Sequence, residues 1–482
     1  MKNTNNQSQH ETKIVATLGP SSNSEEKIGQ LIEAGANVFR LNFSHGDAQG
    51  HIDTAALIRK VAAQQNQYVA ILADLQGPKI RIGKLPDGKV TLVNGAKVAI
   101  DINPDFVAKD ENIIGCDFKT LPQQVQSGDV LLLDDGYIQL TVESVNGNIT
   151  HCTVLVGGVL KSNKGINKLG GGLSAPSLTQ KDLNDIKHAA KTGADFLAVS
   201  FVSSAQDMNE ARELAKQAGF NPGLIAKIER AELANDLELL DDVINASDGV
   251  MVARGDLAVE IGDAALVGMQ KHIIHRARLL GRFVITATQM MESMIKQPSP
   301  TRAEVMDVAN AVLDGSDAVM LSAESAAGDF PVEAVRAMAN ICNGAETQRF
   351  IDRPALQDME ITSSEQAIAS YAIQTANSLP GVKCIVALTE TGNTTLLMSR
   401  FNTDFPIYAF SAHQSSLQRV AIYRWVHPIS CDKNHLKNNS QEAIALLKEQ
   451  GLVESGDRIV ITHGDVGSPS GGTNNLRIAV VS

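Results

Sequence analysis

The sequence predicts an α/β protein: a (β/α)8 TIM barrel carrying an inserted all-β, barrel-like lid domain and followed by a C-terminal α/β domain. Three observations carry this reading. Short runs rich in Val, Ile, Leu and Ala recur eight times between residues 13 and 325, with helical stretches between most of them. After the third run the alternation gives way to about a hundred residues of period-two strands. A separate set of strand and helix signals follows residue 348.

The eight runs are KIVATLGP from Lys13, NVFRLNFSHG from Asn37, YVAILADLQGP from Tyr68, ADFLAVSFV from Ala194, GLIAKIER from Gly223, DGVMVARGD from Asp248, RFVITATQM from Arg282 and DAVMLSAES from Asp317. Helical stretches such as SEEKIGQLIEAGA and TQKDLNDIKHAAKTGA open on Ser or Thr, carry acid in the first turn and end at Gly. A doubly wound open sheet is the alternative. It would gather polar residues at one switch point, whereas here they stand at the C-terminal ends of nearly all the runs.

The inserted segment reads VTLVNGAKVAI, DVLLLDDGYIQLTVESVNG and NITHCTVLVGG, broken by NG and DG turns and with no helix pattern. Placed in a barrel loop, it is positioned to act as a lid. Gly170, Gly171 and Gly172 lack the context of a phosphate loop and read as a hinge. The C-terminal strands are KCIVALT, PIYAFS, WVHPIS, DRIVITHG and NLRIAVV. The expected boundaries are a disordered tail over 1–10, the barrel over 11–78 and 179–347, the lid over 79–178 and the last domain over 348–482.

A formal net charge of −12 over 482 residues argues against nonspecific nucleic-acid binding. Any anionic substrate must be drawn by a local cluster of Arg and Lys. The five cysteines are scattered, with no metal-ligand spacing. The polar start MKNTNNQSQHET has no signal-peptide core, and no apolar stretch reaches the ~20 residues a membrane span needs. A cytoplasmic location is the expectation.

The strongest chemical signal is AKIERAE, Ala226 to Glu232, followed by DGVMVARGDL. Residues two apart in a strand share a face, so Lys227 and Glu229 project together, and Asp256 adds a carboxylate at the next strand end. One cation and two acids there suit a divalent metal, magnesium or manganese, with a phosphoryl or carboxylate ligand. A plain Lys227–Glu229 ion pair would explain two of the three residues but not Asp256. Gly255 and Asp256 open a short helix whose free N–H groups suit a substrate carboxylate. In the second run Arg40, Asn42 and Ser44 alternate with Leu41 and Phe43, leaving one polar face. Arg40 can fork onto a phosphate. A buried hydrogen-bond network is the competing reading. His45 is the weakest member, since a lone His beside a Gly turn is more often structural. Asp74 ends the third run, and Lys79 and Arg81 follow where the insert leaves. They read equally as a salt-bridged hinge. Thr286 and Thr288 share a face of the seventh run, while Met290, Met291 and Met294 read as core filler.

Taken in order, KIVATLGPSS, FRLNFSHG, DLQGPKIR, NKGIN, AKIERAE, MVARGDL, TATQMMESM and PTRAEVMDVANAVLDGSDAVMLSAES resemble the pyruvate kinase family over nearly the whole chain. The resemblance implies phosphoryl transfer from phosphoenolpyruvate to ADP, giving pyruvate and ATP. It places Lys227 at the transferring phosphoryl, Glu229 and Asp256 on the divalent metal, and Thr288 near the enolate carbon. Arg40, Gly255 and Asp256 also lie on the substrate, and Arg81, His45 and Lys164 lie on the nucleotide side. Asn42, Ser44, Asp74 and Leu75 match the family's monovalent-cation site. Members that require potassium carry Glu in place of Lys79 and Thr-Lys in place of Leu75-Gln76. This chain resembles the potassium-independent group, in which the Lys79 ammonium would replace the ion's charge near Asp74. The C-terminal domain resembles the family's effector domain. Its loop TETGNTT offers Thr389, Thr391, Gly392, Asn393 and Thr394 to a phosphorylated sugar or nucleotide, with GDVGSPSGGTNN, Gly464 to Asn475, as a second lip. The family also implies a homotetramer. A metal-dependent lyase acting on an enolpyruvate and an idle effector-binding protein are the alternatives. The nucleotide-side cations oppose the first, and the complete Lys227, Glu229 and Asp256 set opposes the second.

Overall fold

The computed structural model describes residues 10–103, 112–348, 359–432, 440–465 and 472–482. Eight parallel strands close into a barrel: β1 (Lys13–Thr17), β2 (Val38–Asn42), β3 (Ala70–Asp74), β4 (Phe196–Val199), β5 (Gly223–Ile228), β6 (Gly249–Ala253), β7 (Phe283–Ala287) and β8 (Ala318–Leu321). Each falls within one of the eight apolar runs. The helices between them start as the sequence indicates. Ser24 caps Glu25–Ala34, and Thr179 forms a reciprocal capping box with Asp182 at the start of Gln180–Thr192.

Alternation along the strands sorts side chains into two layers. Phe39, Leu41, Leu224, Ala226 and Val284 pack outward among the helices. Val15, Val38, Leu72, Ile225, Met251, Phe283 and Met320 fill the barrel interior. That interior cluster runs on into the C-terminal domain through Tyr423, Trp425 and Ala369, so this domain plugs the barrel's lower end. The rings of Phe283 and Tyr423 meet across the boundary at 5.7 Å.

The lid's strands lie in two sheets. A ribbon pairs Lys89–Leu92 with Gly158–Lys161, and six further strands form one sheet around a separate apolar core. The NG turn at Gly147 joins its longest hairpin, Ile138–Asn146 with Ile149–Val156. One short helix, Leu121–Gln124, corrects the expectation of a helix-free insert; Pro122 stands in its first turn, where no N–H is needed. At the lid's root, buried Asp182 accepts from Gly77 N at 3.1 Å and from Thr179 N at 2.8 Å, joining the entering and leaving segments.

In the C-terminal domain β9 (Val382–Leu388), β10 (Ile407–Ser411), β11 (Val426–Ser430), β12 (Arg458–Gly464) and β13 (Thr473–Val480) lie in the order β11-β10-β9-β12-β13, the last antiparallel. His10, the final residue of the expected tail, is buried, and its ring bonds the Thr12 carbonyl at 2.6 Å. The rest of that tail lies outside the described residues. Cys116, Cys152, Cys342 and Cys384 are buried free thiols and Cys431 is half-buried. No helix among the described residues is long and apolar enough to cross a membrane.

Candidate active site

The interior layer changes character at the C-terminal end of the barrel. Below it stand aliphatic and aromatic side chains; at the top stand Thr17, Arg40, Asp74, Ser200 and Lys227. Each lies an even number of residues beyond an inward apolar residue of its own strand, so strand parity alone aims it at the mouth. Most of their polar atoms bond within the cluster. Arg40 Nε donates to Asp74 Oδ2 at 2.6 Å and Nη1 to Thr17 Oγ1 at 3.1 Å. Lys227 Nζ lies 2.8 Å from Glu229 Oε1, donates to Ser200 Oγ at 2.7 Å and stands 3.5 Å from Asp74 Oδ1. Glu229 Oε2 accepts from Phe201 N at 2.7 Å.

Burial by itself would push the Lys227 ammonium down. Asp74 and Glu229 outweigh it and hold the lysine above its ordinary value, so the charge is permanent at neutral pH. Burial raises Asp74 too, but Lys227 and Arg40 bring it below the usual carboxylate range. Glu229 is shifted up by burial, which Lys227 opposes and the nearby Asp256 charge reinforces.

Asp256 sits in the first turn of the helix Arg254–Ile261, which follows β6 directly. Glu229, whose charging the nearby Asp256 carboxylate opposes, and Asp256 itself come from adjacent strand ends and are a donor set that suits a divalent cation. The residues therefore fit the implied metal, which Glu229 and Asp256 would hold. Among the described residues no three or more His, Cys, Asp or Glu are gathered as a metal-holding group, here or elsewhere.

Lys79 departs from expectation. Its Nζ bonds Asp256 Oδ1 at 2.9 Å and lies 3.8 Å from Asp135 of the lid, rather than neutralising Asp74. Asp74 already has Arg40 and Lys227, and the hinge carries Lys79 toward the Asp256 helix. Burial lowers Lys79, but Asp256, with Asp135 and Glu229 behind it, more than compensates, so it too stays charged. Of the monovalent-site residues, Asn42 Oδ1 accepts from Ser44 N at 3.1 Å and the Leu75 carbonyl from Ser200 Oγ at 2.8 Å. Asp74 Oδ1 is buried with no hydrogen-bond donor.

Thr288 reaches the site by a route strand parity does not give. Phe283, Ile285 and Ala287 face inward, so Thr286 faces outward, where its hydroxyl bonds Ser316 at 2.8 Å. The expected shared face of Thr286 and Thr288 is thus corrected. β7 ends at Ala287, and Thr288 and Gln289 adopt left-handed backbone at φ 66° and 54°. That turn lets Thr288 Oγ1 accept from Gly255 N at 2.8 Å and donate to the Ala287 carbonyl at 2.6 Å. Gly255 N–H, expected to face substrate, is thereby engaged by Thr288. Sequence reasoning missed Arg254, which holds this turn: its guanidinium donates to Thr288 O at 2.7 Å, Gln289 O at 3.0 Å and Asp307 at 2.7 Å. It also missed Ser200, whose signal was its even spacing from Phe196 and Ala198. Met290, Met291 and Met294 are fully buried, as expected of core filler.

On the lid side Arg81 pairs across to Gly165 and donates to Asn163 O at 2.9 Å, and Lys164 pairs with Asp134 at 2.6 Å, so strand pairing brings Arg81 and Lys164 together. His45 is exposed on the loop after β2, where its carbonyl accepts from His51 Nε2 at 2.9 Å. In the loop after β9 the Thr389 hydroxyl accepts from Gly392 N at 2.9 Å and the Thr394 hydroxyl bonds Thr473 at 2.7 Å, both buried. Thr391 and Asn393 face outward from the start of the helix Asn393–Arg400, with Gly392 left-handed at φ 87°. Residues 466–471 of the second lip lie outside the described residues.

The family described as "Pyruvate kinase, barrel domain" matches residues 9–335, and "Pyruvate kinase, alpha/beta domain" matches 366–479. Pyruvate kinase II of Salmonella typhimurium and a pyruvate kinase of Haemophilus influenzae are each 52% identical over 472 residues, covering 98% of both chains. A solved pyruvate kinase from Cryptosporidium parvum superposes with a TM-score of 0.90 at 35% identity, over 99% of this chain and 98% of its own. With eight strand ends converging on one polar mouth and homology along its whole length, the chain belongs to the pyruvate kinase family of phosphotransferases.

Proposed function

We propose that this enzyme makes pyruvate and ATP from phosphoenolpyruvate and ADP with magnesium or manganese held by Glu229 and Asp256, without a need for potassium. The observation that carries the reading is Lys227, kept charged at the barrel mouth between Asp74, Glu229 and Ser200. Phosphoryl transfer needs aligned reactants and neutralised charge more than covalent help from the protein. The P–O bond of phosphoenolpyruvate breaks with its electron pair left on the enolate oxygen, and a terminal phosphate oxygen of ADP forms the new bond to phosphorus. Lys227 and Arg40 face the charge that spreads over the transferring group. A divalent ion held by Glu229 and Asp256 would supply further positive charge at the transferring group. The enolate carbon then takes a proton, and the Thr288 hydroxyl is placed to hold the water that delivers it. Arg81, Lys164 and His45 receive the nucleotide as the lid closes and excludes water that would waste the phosphoryl group.

Independence from potassium rests on Lys79, which adds a fixed ammonium to the mouth through Asp256 rather than through Asp74. Activation by a phosphorylated sugar or nucleotide is proposed at the loop carrying Thr389, Thr391, Gly392, Asn393 and Thr394. In that loop Thr391 and Asn393 are the members left facing solvent. The active form is proposed to be a cytoplasmic homotetramer, on the family's precedent.

Pyruvate formation measured with magnesium and ADP in sodium and then in potassium, beside Lys227→Met, tests this. Equal rates in both salts, and a fall of roughly 10²–10³-fold in the variant, are expected. Strong potassium activation would remove the Lys79 argument, and an active Lys227→Met would remove the assignment of Lys227.

A further inference from the structure

Both segments that connect the lid to the barrel are tied to one eight-residue helix, Arg254–Ile261. At its first turn Asp256 takes Lys79 of the entering segment. At its last turn Glu260 takes the leaving segment. Its Oε1 accepts from Asn167 Nδ2 at 3.3 Å, and its carbonyl accepts from Gly170 N at 2.8 Å. Its other carboxylate oxygen accepts from Ala231 N at 2.7 Å, two residues beyond Glu229. Arg230 and Glu232 continue the clamp. Arg230 Nη2 donates to Leu173 O at 2.8 Å, and Glu232 Oε1 accepts from Gly172 N at 3.0 Å.

We infer that Glu260 is a positioning residue that couples the lid to the metal carboxylates, making lid closure and the setting of Asp256 and Glu229 one movement. An eight-residue helix is only about two turns long, so a single short element carries both contacts. A shift of the Asn167 strand is therefore passed to Asp256 through the helix and to Glu229 through Ala231. A cavity of about 20 Å³ between Lys79, Ile80, Asn167, Leu173, Arg230 and Glu260 leaves room for this adjustment, about that of one water. The carboxyl is kept where it is costly. Burial pushes it up to about 7, partly opposed by the Ala231 N–H and by Arg230 and reinforced by Glu232. No step of the reaction uses this group directly. The inference rests on the lid closing over ADP, as proposed above.

The test is the kinetics of Glu260→Ala, Glu260→Gln, Asn167→Ala and the double variant Glu260→Ala with Asn167→Ala beside the parent enzyme, with ADP, phosphoenolpyruvate and magnesium varied in turn. Glu260→Ala is expected to raise KM for ADP and the magnesium concentration for half-maximal rate by about tenfold or more, with a smaller fall in kcat. Glu260→Gln keeps an acceptor for Ala231 N–H and recovers most of the loss. Asn167→Ala raises KM for ADP alone, and its effect does not add to that of Glu260→Ala, because both break one contact. Folded Glu260→Ala with ADP and magnesium constants within twofold of the parent would overturn the inference. So would additive effects. If Glu260→Ala does not fold, an unchanged KM for ADP in Asn167→Ala overturns it. Failure of the parent itself to make pyruvate would instead strike the function proposed above.

Discussion

Thr288 stands at the barrel mouth because Arg254 holds it there. Two left-handed residues in succession, neither of them Gly, each cost about 1 kcal/mol or more, and such strain persists only where surrounding bonds over-determine it. The planar fork of Arg254 supplies those bonds to Thr288 O and Gln289 O while Asp307 fixes its other nitrogen. Lysine keeps the charge but not the fork. Arg254→Lys is therefore expected to lower kcat by roughly 10²-fold, the scale of a misplacement of about 1 Å. The circular dichroism spectrum should stay that of the parent. Steady-state rates within a factor of three of the parent would show that the turn stands without the fork. At this scale Arg40, Asp74, Lys227 and Glu229 were legible from strand parity, since a period of two holds as long as the strand does. Thr288 was not, because parity ends with the strand, and the contact partners of Lys79 depended on the path of a hinge.

At the scale of elements, the lid root depends on one glycine. Gly77 has φ +69°, and a Cβ added there would meet Ser200 Cβ at 2.6 Å. Ser200 carries the hydroxyl that bonds Lys227, so crowding at Gly77 is passed to the Lys227 ammonium at the barrel mouth. Gly77→Ala is expected to cost at least about 1–2 kcal/mol in backbone strain alone. It should also lower kcat by displacing Ser200. Thermal unfolding and turnover measured together check this. A variant with unchanged melting temperature and unchanged kcat would mean that the root segment shifts freely. Strand and helix identities were plain in the sequence here, because capping residues and apolar runs are local signals. The clamp of Asp182 across Gly77 and Thr179 was not, because its partners are a hundred residues apart in the chain.

At the scale of the molecule, the barrel and the C-terminal domain share a charge pair. Asp317 at the start of β8 and Arg400 at the end of its helix are both fully buried and bonded to each other. Asp317 also accepts from Val284 N at 2.9 Å, and Arg278 donates to Arg400 O at 3.0 Å. Removing one partner of such a pair leaves an uncompensated charge and typically costs about 3–5 kcal/mol. Arg400→Met is expected to lower the melting temperature and to split calorimetric unfolding into separate barrel and C-terminal transitions. A single transition at the parent temperature would show that apolar packing through Phe283, Tyr423 and Trp425 suffices to join the domains.

The sequence by itself determined the barrel, its insert and its last domain, and it determined the inward polar face at the mouth. These follow from periodicities of 2 and 3.6 residues, which act between neighbours in the chain. The tertiary structure decided which charges meet. Lys79 joins Asp256, Thr288 turns onto Gly255, Glu260 gathers the lid strand and Arg400 reaches Asp317. Each is a contact between distant segments, set by how desolvated groups must find partners once the chain has closed on itself.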